Sequence, residues 1–90
     1  MPFGTLVERG LLRPGEVLTC AAGRRAAKVR ADGTLVADGT TGSIHKVGAA
    51  LQGAPSCNGW TFWHVEQDGE KVLIDDFRQE IRDEMIGESA

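Results

Sequence analysis

The chain contains no apolar stretch near the roughly 20 residues that a transmembrane helix requires. Its N-terminus also lacks the basic-then-apolar order of a signal peptide, so we expect a cytosolic protein. Proline is scarce, with 3 residues in 90, and there are only 2 cysteines. Because Cys20 and Cys57 have neither close spacing nor an export signal, we expect reduced thiols.

Enzymatic motifs are also missing. The sequence has no phosphate-cradling glycine loop, no paired-histidine metal motif and no nucleophile elbow. The spacings of Cys57, His45 and His64 match none of the usual metal sites. Helix capping explains the pair Asp75-Asp76 more simply than acid–base chemistry does. We therefore expect no catalytic residue, metal or cofactor in this chain.

The net charge of −3 conceals an asymmetry. Residues 1–65 carry seven bases against four acids, whereas residues 66–90 carry three bases against nine acids. A molecule divided in this way can present a basic face to nucleic acid while its acidic end faces solvent or another domain. The sequence alone does not assign these charges to surfaces.

Short apolar segments separated by glycine turns predict an α+β fold. In the first half of the chain, the apolar spacing over 3–12 predicts a short helix that is ended by Gly10. Strands are expected over 16–20, 26–29 and 34–37, and a loop over 40–42. Asp32-Gly33 is expected to form a hairpin turn, and Asp38-Gly39 is expected to end the strand that follows.

A helix is predicted to follow this loop. Ser43 is expected to cap it, because its hydroxyl can accept a hydrogen bond from the free backbone N–H groups of the first turn. The helix would run to Leu51 and end at Gly53. Ile44, Val47 and Leu51 lie along one stripe and are expected to face the core.

The segment from Trp60 to Glu66 alternates and predicts a strand. One face would carry Trp60, Phe62 and His64, and the other Thr61, Trp63 and Val65. We expect Trp63 to belong to the core and Trp60 to lie exposed beside a polar turn.

The last part of the chain predicts a hairpin and a helix. Asp68-Gly69 would turn the chain into a strand over 71–74, after which Asp75 would cap the final helix. Phe77, Ile81 and Met85 form its inward stripe, and Gly87 is expected to close it. The sequence therefore predicts one domain over 1–90, an α+β fold with a small antiparallel sheet of four or five strands and about three helices.

Groups suited to nucleic acid gather between Gly42 and Trp63. Ser43 opens a helix whose free N–H groups favour a phosphate, and Asn58 can both donate and accept hydrogen bonds. Trp60 is a flat apolar plate that can stack on a base or sugar. Lys46 and the pair Arg24 and Arg25 would add a salt-dependent attraction.

Each of these groups also has a purely structural explanation. Helix capping alone accounts for Ser43, and turn chemistry alone accounts for Asn58. A second small core would account for Trp60. Arg24 and Arg25 would then be a solvated hairpin tip. Residue types and spacing leave both interpretations open.

Two segments of the chain resemble a known family. They are Gly42-Ser43-Ile44-His45-Lys46-Val47-Gly48-Ala49-Ala50 and Cys57-Asn58-Gly59-Trp60-Thr61-Phe62-Trp63-His64. Both resemble the C-terminal module of alphaproteobacterial cell-cycle-regulated adenine DNA methyltransferases of the CcrM type, which is a RAMA (restriction enzyme adenine methylase associated) domain. Segments 2–4, 15–18 and 74–78 also look like that module, so the resemblance covers nearly the whole chain.

The resemblance implies a DNA-binding accessory domain of a bacterial enzyme. The parent enzymes transfer a methyl group from S-adenosylmethionine to the adenine amino group of GANTC sites, in the nucleoid-associated part of the cytoplasm. Their Asp-Pro-Pro-Tyr motif and their cofactor-binding glycine motif are absent here. The resemblance therefore implies a chain that binds double-stranded DNA without methylating it. S-adenosylmethionine would belong to a linked methyltransferase domain; no membrane partner is implied, and the full-length enzyme would be a possible homodimer.

The family also supplies candidate residues. Ser43, Asn58, Trp60 and Arg78 match polar and aromatic surface positions that the family uses for DNA contact. The complete predicted DNA-binding set is Ser43, Asn58, Trp60, Arg78, Lys46, His45, Arg24 and Arg25.

Arg78 is the member of this set that the charge pattern does not single out. It follows Phe77 on the first turn of the last helix, so it is expected to point away from the buried stripe. An ion pair with Asp75 or Glu80 is the alternative.

Two other functions stay open at this point. In a protein-interaction or dimerisation module, Trp60 and its neighbours would pack against the catalytic domain or a second copy. Alternatively, the indole would stack on a methylated adenine or an unpaired base.

Overall fold

The computed structural model describes the backbone of residues 2–89 and the side chains as far as Glu84. Its elements are α1 (Gly4–Glu8), β1 (Val17–Thr19), β2 (Ala26–Val29), β3 (Leu35–Ala37), β4 (Thr40–Gly42), α2 (Ile44–Gln52), α3 (Gly59–Phe62), β5 (His64–Gln67), β6 (Glu70–Leu73) and α4 (Ile74–Ser89). This arrangement confirms the α+β fold. The described part of the chain has six strands and four helices, slightly more of each than predicted.

The strands form one antiparallel sheet in the order β4-β3-β2-β1-β5-β6. The additional strand is β4, because Asp38-Gly39 does not simply end β3 and residues 40–42 are not a loop. Asp38 and Gly39 have φ of 47° and 77°, and Ala37 pairs with Thr40. Positive φ at both central residues is the type I′ hairpin turn that Asp-Gly favours. The predicted hairpin at 68–69 has the same geometry, with φ of 52° and 81°.

The turn between β2 and β3 brings α1 against the sheet. Arg30 N–H donates to Thr34 O over 2.8 Å, which makes this hairpin connection longer than the predicted two-residue turn. The Asp32 carboxylate accepts from the Thr34 hydroxyl and N–H, and these hydrogen bonds lower the pKa of Asp32. A Cβ on Gly33 would lie 2.8 Å from the Gly4 Cα, so only glycine allows this close approach.

The strand predicted over 60–66 is wrong in its first half. Residues 59–62 form the helical turn α3, and β5 begins at His64. The Asn58 side chain accepts from Trp60 N–H over 3.1 Å, and the Asn58 carbonyl accepts from Phe62 N–H over 3.1 Å. Because the cap starts a helix here, Trp60 turns inward instead of standing on an open strand face.

Both longer helices keep the predicted core stripe. In α2, Ile44 and Val47 are buried and Leu51 packs against the core. In α4, Phe77 and Ile81 are buried; Met85 lies outside the described side chains.

The predicted ends of α1 and α4 need correction. Helix α4 begins at Ile74, whose N–H donates to Trp63 O over 3.1 Å, so Asp75 lies within the first turn and is not the cap. The helix passes Gly87 and ends at Ser89. Helix α1 is shorter than predicted and ends before Gly10, where Leu11 N–H returns to Leu6 O over 3.0 Å.

The two faces of the sheet differ. Buried residues on alternate positions of β1, β2, β3 and β5, among them Leu18, Val29, Leu35 and Val65, share the core cluster with residues of α1, α2, α3 and α4. The intervening positions of β1 to β4 are exposed or half-buried, and they include Val17, Lys28, Val36 and Thr41. Within residues 2–89 the helical layer therefore covers one face, and we call the other the open sheet face.

Candidate nucleic-acid interface

The two segments that carry the resemblance bind to each other. We call this contact between the start of α2 and α3 the α2–α3 junction. Gly59 N–H donates to His45 Nδ1 over 2.9 Å, and Trp63 Nε1 donates to Ile44 O over 3.0 Å. A Cβ on Gly59 would lie 2.6 Å from the backbone carbonyl carbon of Ile44. The junction therefore requires glycine at 59 and uses His45 as an acceptor.

A second close contact lies one turn further along α2. A Cβ on Gly48 would lie 2.7 Å from the Cys57 Sγ. Both cysteines are free, as predicted, and burial raises the pKa of the Cys57 thiol even though a hydrogen bond with Gln52 acts in the opposite direction. The sequence analysis did not predict that Gly48 and Gly59 are packing positions. The signal that could have indicated this role is that each glycine lies within one of the two segments that resemble the family.

Ser43 and Asn58 are helix caps. Ser43 Oγ accepts from Lys46 N–H over 3.0 Å, which confirms the predicted cap of α2. Asn58 caps α3 in the same way. Both residues are exposed, so each side chain is accessible to a ligand even though it caps a helix.

Trp60 is buried, and the prediction of an exposed indole plate is wrong. The residue is only 5 % exposed, and its ring packs against Phe3 with 6.1 Å between ring centroids. The guanidinium carbon of Arg78 lies 4.6 Å from the centroid of the indole. Trp63 is fully buried, as predicted.

Arg78 belongs to this site through its contact with Trp60. Its Nη2 lies 2.5 Å from Asp75 Oδ1, and the two side chains are 20 % and 18 % exposed. The ion pair considered from the sequence is thus present, together with a cation–π contact. Arg78 Nε is buried and has no hydrogen-bond partner among the described residues. The guanidinium is therefore held in one place by an acid and an aromatic ring.

A groove of about 480 Å³ lies beside these residues. Ser43, His45 and Trp60 line it together with Phe3, while Asn58 does not. The carboxylates of Glu8 and Asp32 also line it, and none of the lysines or arginines within residues 2–84 does. The groove itself thus favours hydrogen-bond donors and cations over a phosphate.

Lys46 lies on the side of Ser43 that faces away from the groove. It is exposed, and its stem packs over Gly42, where a Cβ would lie 2.6 Å from the Lys46 Cδ. With Ser43 and His45 it lines a second, shallower depression of about 330 Å³. Ser43 and His45 therefore stand between an acidic groove and a depression that carries a cation.

Comparison with known proteins gives a family for this fold. The RAMA family, Restriction Enzyme Adenine Methylase Associated, matches residues 1–86. The chain belongs to the RAMA family.

A curated relative of this RAMA chain is a Type II methyltransferase, M.HinfI from Haemophilus influenzae. The two are 29 % identical over 80 residues, which is 89 % of this chain. The RAMA chain spans only 22 % of the length of that relative.

The RAMA fold separates Arg24 and Arg25 from the other candidates. Both are exposed in the β1–β2 connection, and Arg25 O accepts from Cys20 N–H over 3.0 Å. The pairings of Val29 with Leu35 and of Leu35 with Gly42 place Ser43 at the opposite end of the strands. The two arginines therefore do not share the Ser43 surface.

The β1–β2 connection also surrounds the thiol of Cys20. Burial acts to raise the pKa of Cys20, but hydrogen bonds from backbone N–H groups of residues 22–25 outweigh it and lower the pKa. Lys71 Nζ donates to the carbonyls of Cys20 and Ala21 over 3.2 and 2.9 Å, which ties the connection to β6.

Two further classes of feature are missing from the described part of the RAMA chain. His, Cys, Asp and Glu side chains do not gather there in a group able to hold a metal ion. Of the helices that the structure describes, none has the length and apolar character needed to cross a membrane.

Proposed function

We propose that this chain is a duplex-DNA-binding accessory domain of a linked adenine-N6 methyltransferase. The family description and the methyltransferase relative, of which the chain spans 22 %, support this proposal. The linked enzyme would be of the CcrM type and would methylate GANTC sites in the bacterial nucleoid. Its catalytic domain would bind S-adenosylmethionine as the methyl donor, and the full-length enzyme would form a homodimer. This chain would bind DNA and would not catalyse the transfer.

The observation that carries the proposal is the guanidinium of Arg78, held between Asp75 and the Trp60 ring. A cation fixed in this way loses less side-chain entropy on meeting a phosphate than a free one does. Its Nε is buried, so the terminal Nη groups of the guanidinium are the donors that a phosphate would meet. In this arrangement Trp60 positions Arg78 and does not itself stack on a base.

The residues at the start of α2 would complete the contact. The exposed Ser43 hydroxyl and the Lys46 ammonium can both reach a phosphate, and Asn58 presents an exposed amide. Glu8 and Asp32 in the groove would repel a phosphate there but can accept from the amino group of a base. Phosphate contacts would thus lie outside the groove, at Lys46 and at Arg78.

Binding by this chain alone should be weak. Non-specific protein–DNA contacts give dissociation constants of roughly 10⁻⁴–10⁻⁶ M, and a net charge of −3 adds no general attraction. Covalent linkage to the catalytic domain would convert such a contact into a useful gain in affinity.

A protein-docking or dimerisation function has less support. That alternative depended on an exposed Trp60, and the ring is 5 % exposed. Stacking of the same indole on a modified or unpaired base would require Arg78 to leave it. Both alternatives therefore lose the feature that suggested them.

The test is a fluorescence-anisotropy titration of a short DNA duplex at several salt concentrations. Arg78→Ala should weaken binding and lower the slope of log K against log salt by about 1, because one phosphate contact is lost. Arg82→Ala is the matched control, because Arg82 is exposed on the same helix and its substitution removes the same charge.

Trp60→Phe keeps a flat ring in the core and tests how firmly Arg78 is positioned. Trp60→Ala would instead open a core cavity that costs about 3–5 kcal/mol. Circular dichroism confirms folding of each variant. Equal affinities for Arg78→Ala and Arg82→Ala would exclude the Arg78 site.

A further inference from the structure

The segment 24–30 concentrates unpaired positive charge. It contains Arg24, Arg25, Lys28 and Arg30 and no acid, and all four are exposed. The ion pairs among the described side chains are Arg9–Glu84 and Arg78–Asp75, so none of these four cations has an acidic partner within 4.0 Å there. Four free cations in seven residues form the densest positive run of the chain.

This run crosses the open sheet face. Strand β2 is the third of the six strands, with Ala27 and Val29 buried and Ala26 and Lys28 exposed. Strand geometry separates the α-carbons of Lys28 and Arg30 by about 7 Å. Lys28 therefore stands in the middle of the face, with arginines at both ends of its strand.

The neighbours of Lys28 on this face are uncharged. Lys28 pairs with Val17 on one side and with Val36 on the other, and Val36 pairs with Thr41. Val17 is 45 % exposed. A shallow depression of about 270 Å³ runs along these residues, with Asp38 at its border. Further across the sheet, Glu66 pairs directly with Lys71.

A group of exposed acids lies on the helical layer of the molecule. Exposed carboxylates of α4 are Asp76, Glu80, Asp83 and Glu84. This helix packs Phe77 and Ile81 into the core that the inward face of the sheet shares. The open sheet face thus carries the cations of 24–30, with Asp38 at its border and Glu66 further across, opposite the acids of α4 on the helical layer.

We propose that the open sheet face, with Arg24, Lys28 and Arg30 as its cations, binds a DNA phosphate backbone at a site separate from Arg78. The proposal rests on the proposed function in taking DNA as the ligand. Charge complementarity favours this occupant, because a protein surface would have to desolvate the three cations of this face, which have no ion-pair partner among the described side chains. Duplex DNA offers one negative charge per about 1.7 Å of its axis and releases counterions on contact.

The experiment compares two double variants by anisotropy with a non-specific duplex across a salt series. Lys28→Ser with Arg30→Ser removes two cations from the open sheet face. Arg13→Ser with Arg82→Ser removes the same charge from exposed positions elsewhere that have no ion-pair partner among the described side chains. We expect the first pair to lower the salt slope by about 2 and the second to leave it unchanged. Both should keep the melting temperature of the parent chain, because exposed substitutions away from special contacts have small effects.

Combination with Arg78→Ala separates the two proposals. If the sites are independent, the losses in log K for the Arg78 variant and for the Lys28–Arg30 variant should add. A loss with Arg78→Ala alone would overturn the open-face site and leave the proposed function standing. A loss with the Lys28–Arg30 variant alone would overturn the Arg78 site, while DNA binding by the chain and the open-face site would stand.

The remaining outcomes concern a different partner. Binding that neither variant changes, or no binding at all, would overturn both DNA sites. Self-association of the chain in sedimentation, abolished by the Lys28–Arg30 variant, would assign the face to a second copy and overturn the proposal as well.

Discussion

The α2–α3 junction and the open sheet face use their polar side chains in opposite ways. At the junction the fold itself takes up the polar groups, since His45 accepts from Gly59 N–H and Trp63 donates to Ile44 O. On the open sheet face Lys28 is exposed and has no ion-pair partner among the described side chains. A polar residue at the junction is thus needed for folding, whereas one on the face is available to a ligand.

This difference changes how the family resemblance is interpreted. The two segments that identify the family contain the residues that lock α2 to α3. Their specificity therefore reflects in large part a demanding packing problem, and only the exposed Ser43, Lys46 and Asn58 among them are open to DNA. A distinctive string of residues can mark a fold as strongly as it marks a ligand site.

The largest expected effect is that of Gly59→Ala. The new Cβ would lie 2.6 Å from the Ile44 carbonyl carbon, which is backbone and cannot move aside as a flexible side chain can. Overpacking of this kind costs about 1–3 kcal/mol. We therefore expect the free energy of unfolding to fall by about 2 kcal/mol or more. Urea unfolding followed by circular dichroism measures it.

Gly4→Ala is the control for this substitution. The nearest heavy atom to its Cβ would be 3.7 Å away, and the residue lies in a helix, so stability should stay the same or rise. Equal stabilities of the two variants would show that the junction is not tightly packed.

The next effect is that of His45→Ala. The substitution removes the acceptor of Gly59 N–H, and because Gly59 is buried the donor would be left unsatisfied. The expected loss is about 1–3 kcal/mol of unfolding free energy. Lys46→Ala, at the next position of the same helix, should change stability little, because its exposed side chain makes no hydrogen bond among the described residues. A smaller loss for His45→Ala than for Lys46→Ala would contradict the structural role of the imidazole.

Local patterns predicted the elements whose signal lies within a few residues. Asp68-Gly69 specifies its own hairpin, and Ser43 specifies the start of α2, because turn and cap chemistry depend on neighbours in the chain. Asp38-Gly39 carried the same hairpin signal, and the short β4 after it was missed.

Trp60 shows why the rest was not predictable. Residues 60–66 alternate as a strand does, but the Asn58 cap makes the first of them helical. Which face of Trp60 is buried then depends on Phe3 and Arg78, which are remote in sequence. Residue types already pointed to Ser43, Asn58 and Trp60, and the resemblance added Arg78, whereas the burial of the Trp60 ring followed only from tertiary packing.

The smallest expected effect concerns Asp32, in the turn that joins the open sheet face to the groove. Hydrogen bonds from Thr34, first its hydroxyl and then its N–H, hold the pKa of Asp32 below its ordinary value of 3.8. Because the folded-state pKa is the lower one, the ionised carboxylate stabilises the fold above the unfolded-state pKa. That stabilisation is lost as the pH falls through the folded-state pKa.

Asp32→Asn keeps an acceptor for Thr34 but removes the charge that strengthens both hydrogen bonds. The melting temperature of the variant should lie slightly below that of the parent chain at neutral pH. This difference in melting temperature should disappear in acid, where Asp32 is protonated. Asp38→Asn is the control, because Asp38 makes no side-chain hydrogen bond among the described residues and asparagine suits its positive φ. A difference in melting temperature for Asp32→Asn that persists in acid would mean that the carboxylate charge contributes nothing, and that the difference comes from replacing the carboxyl group by an amide.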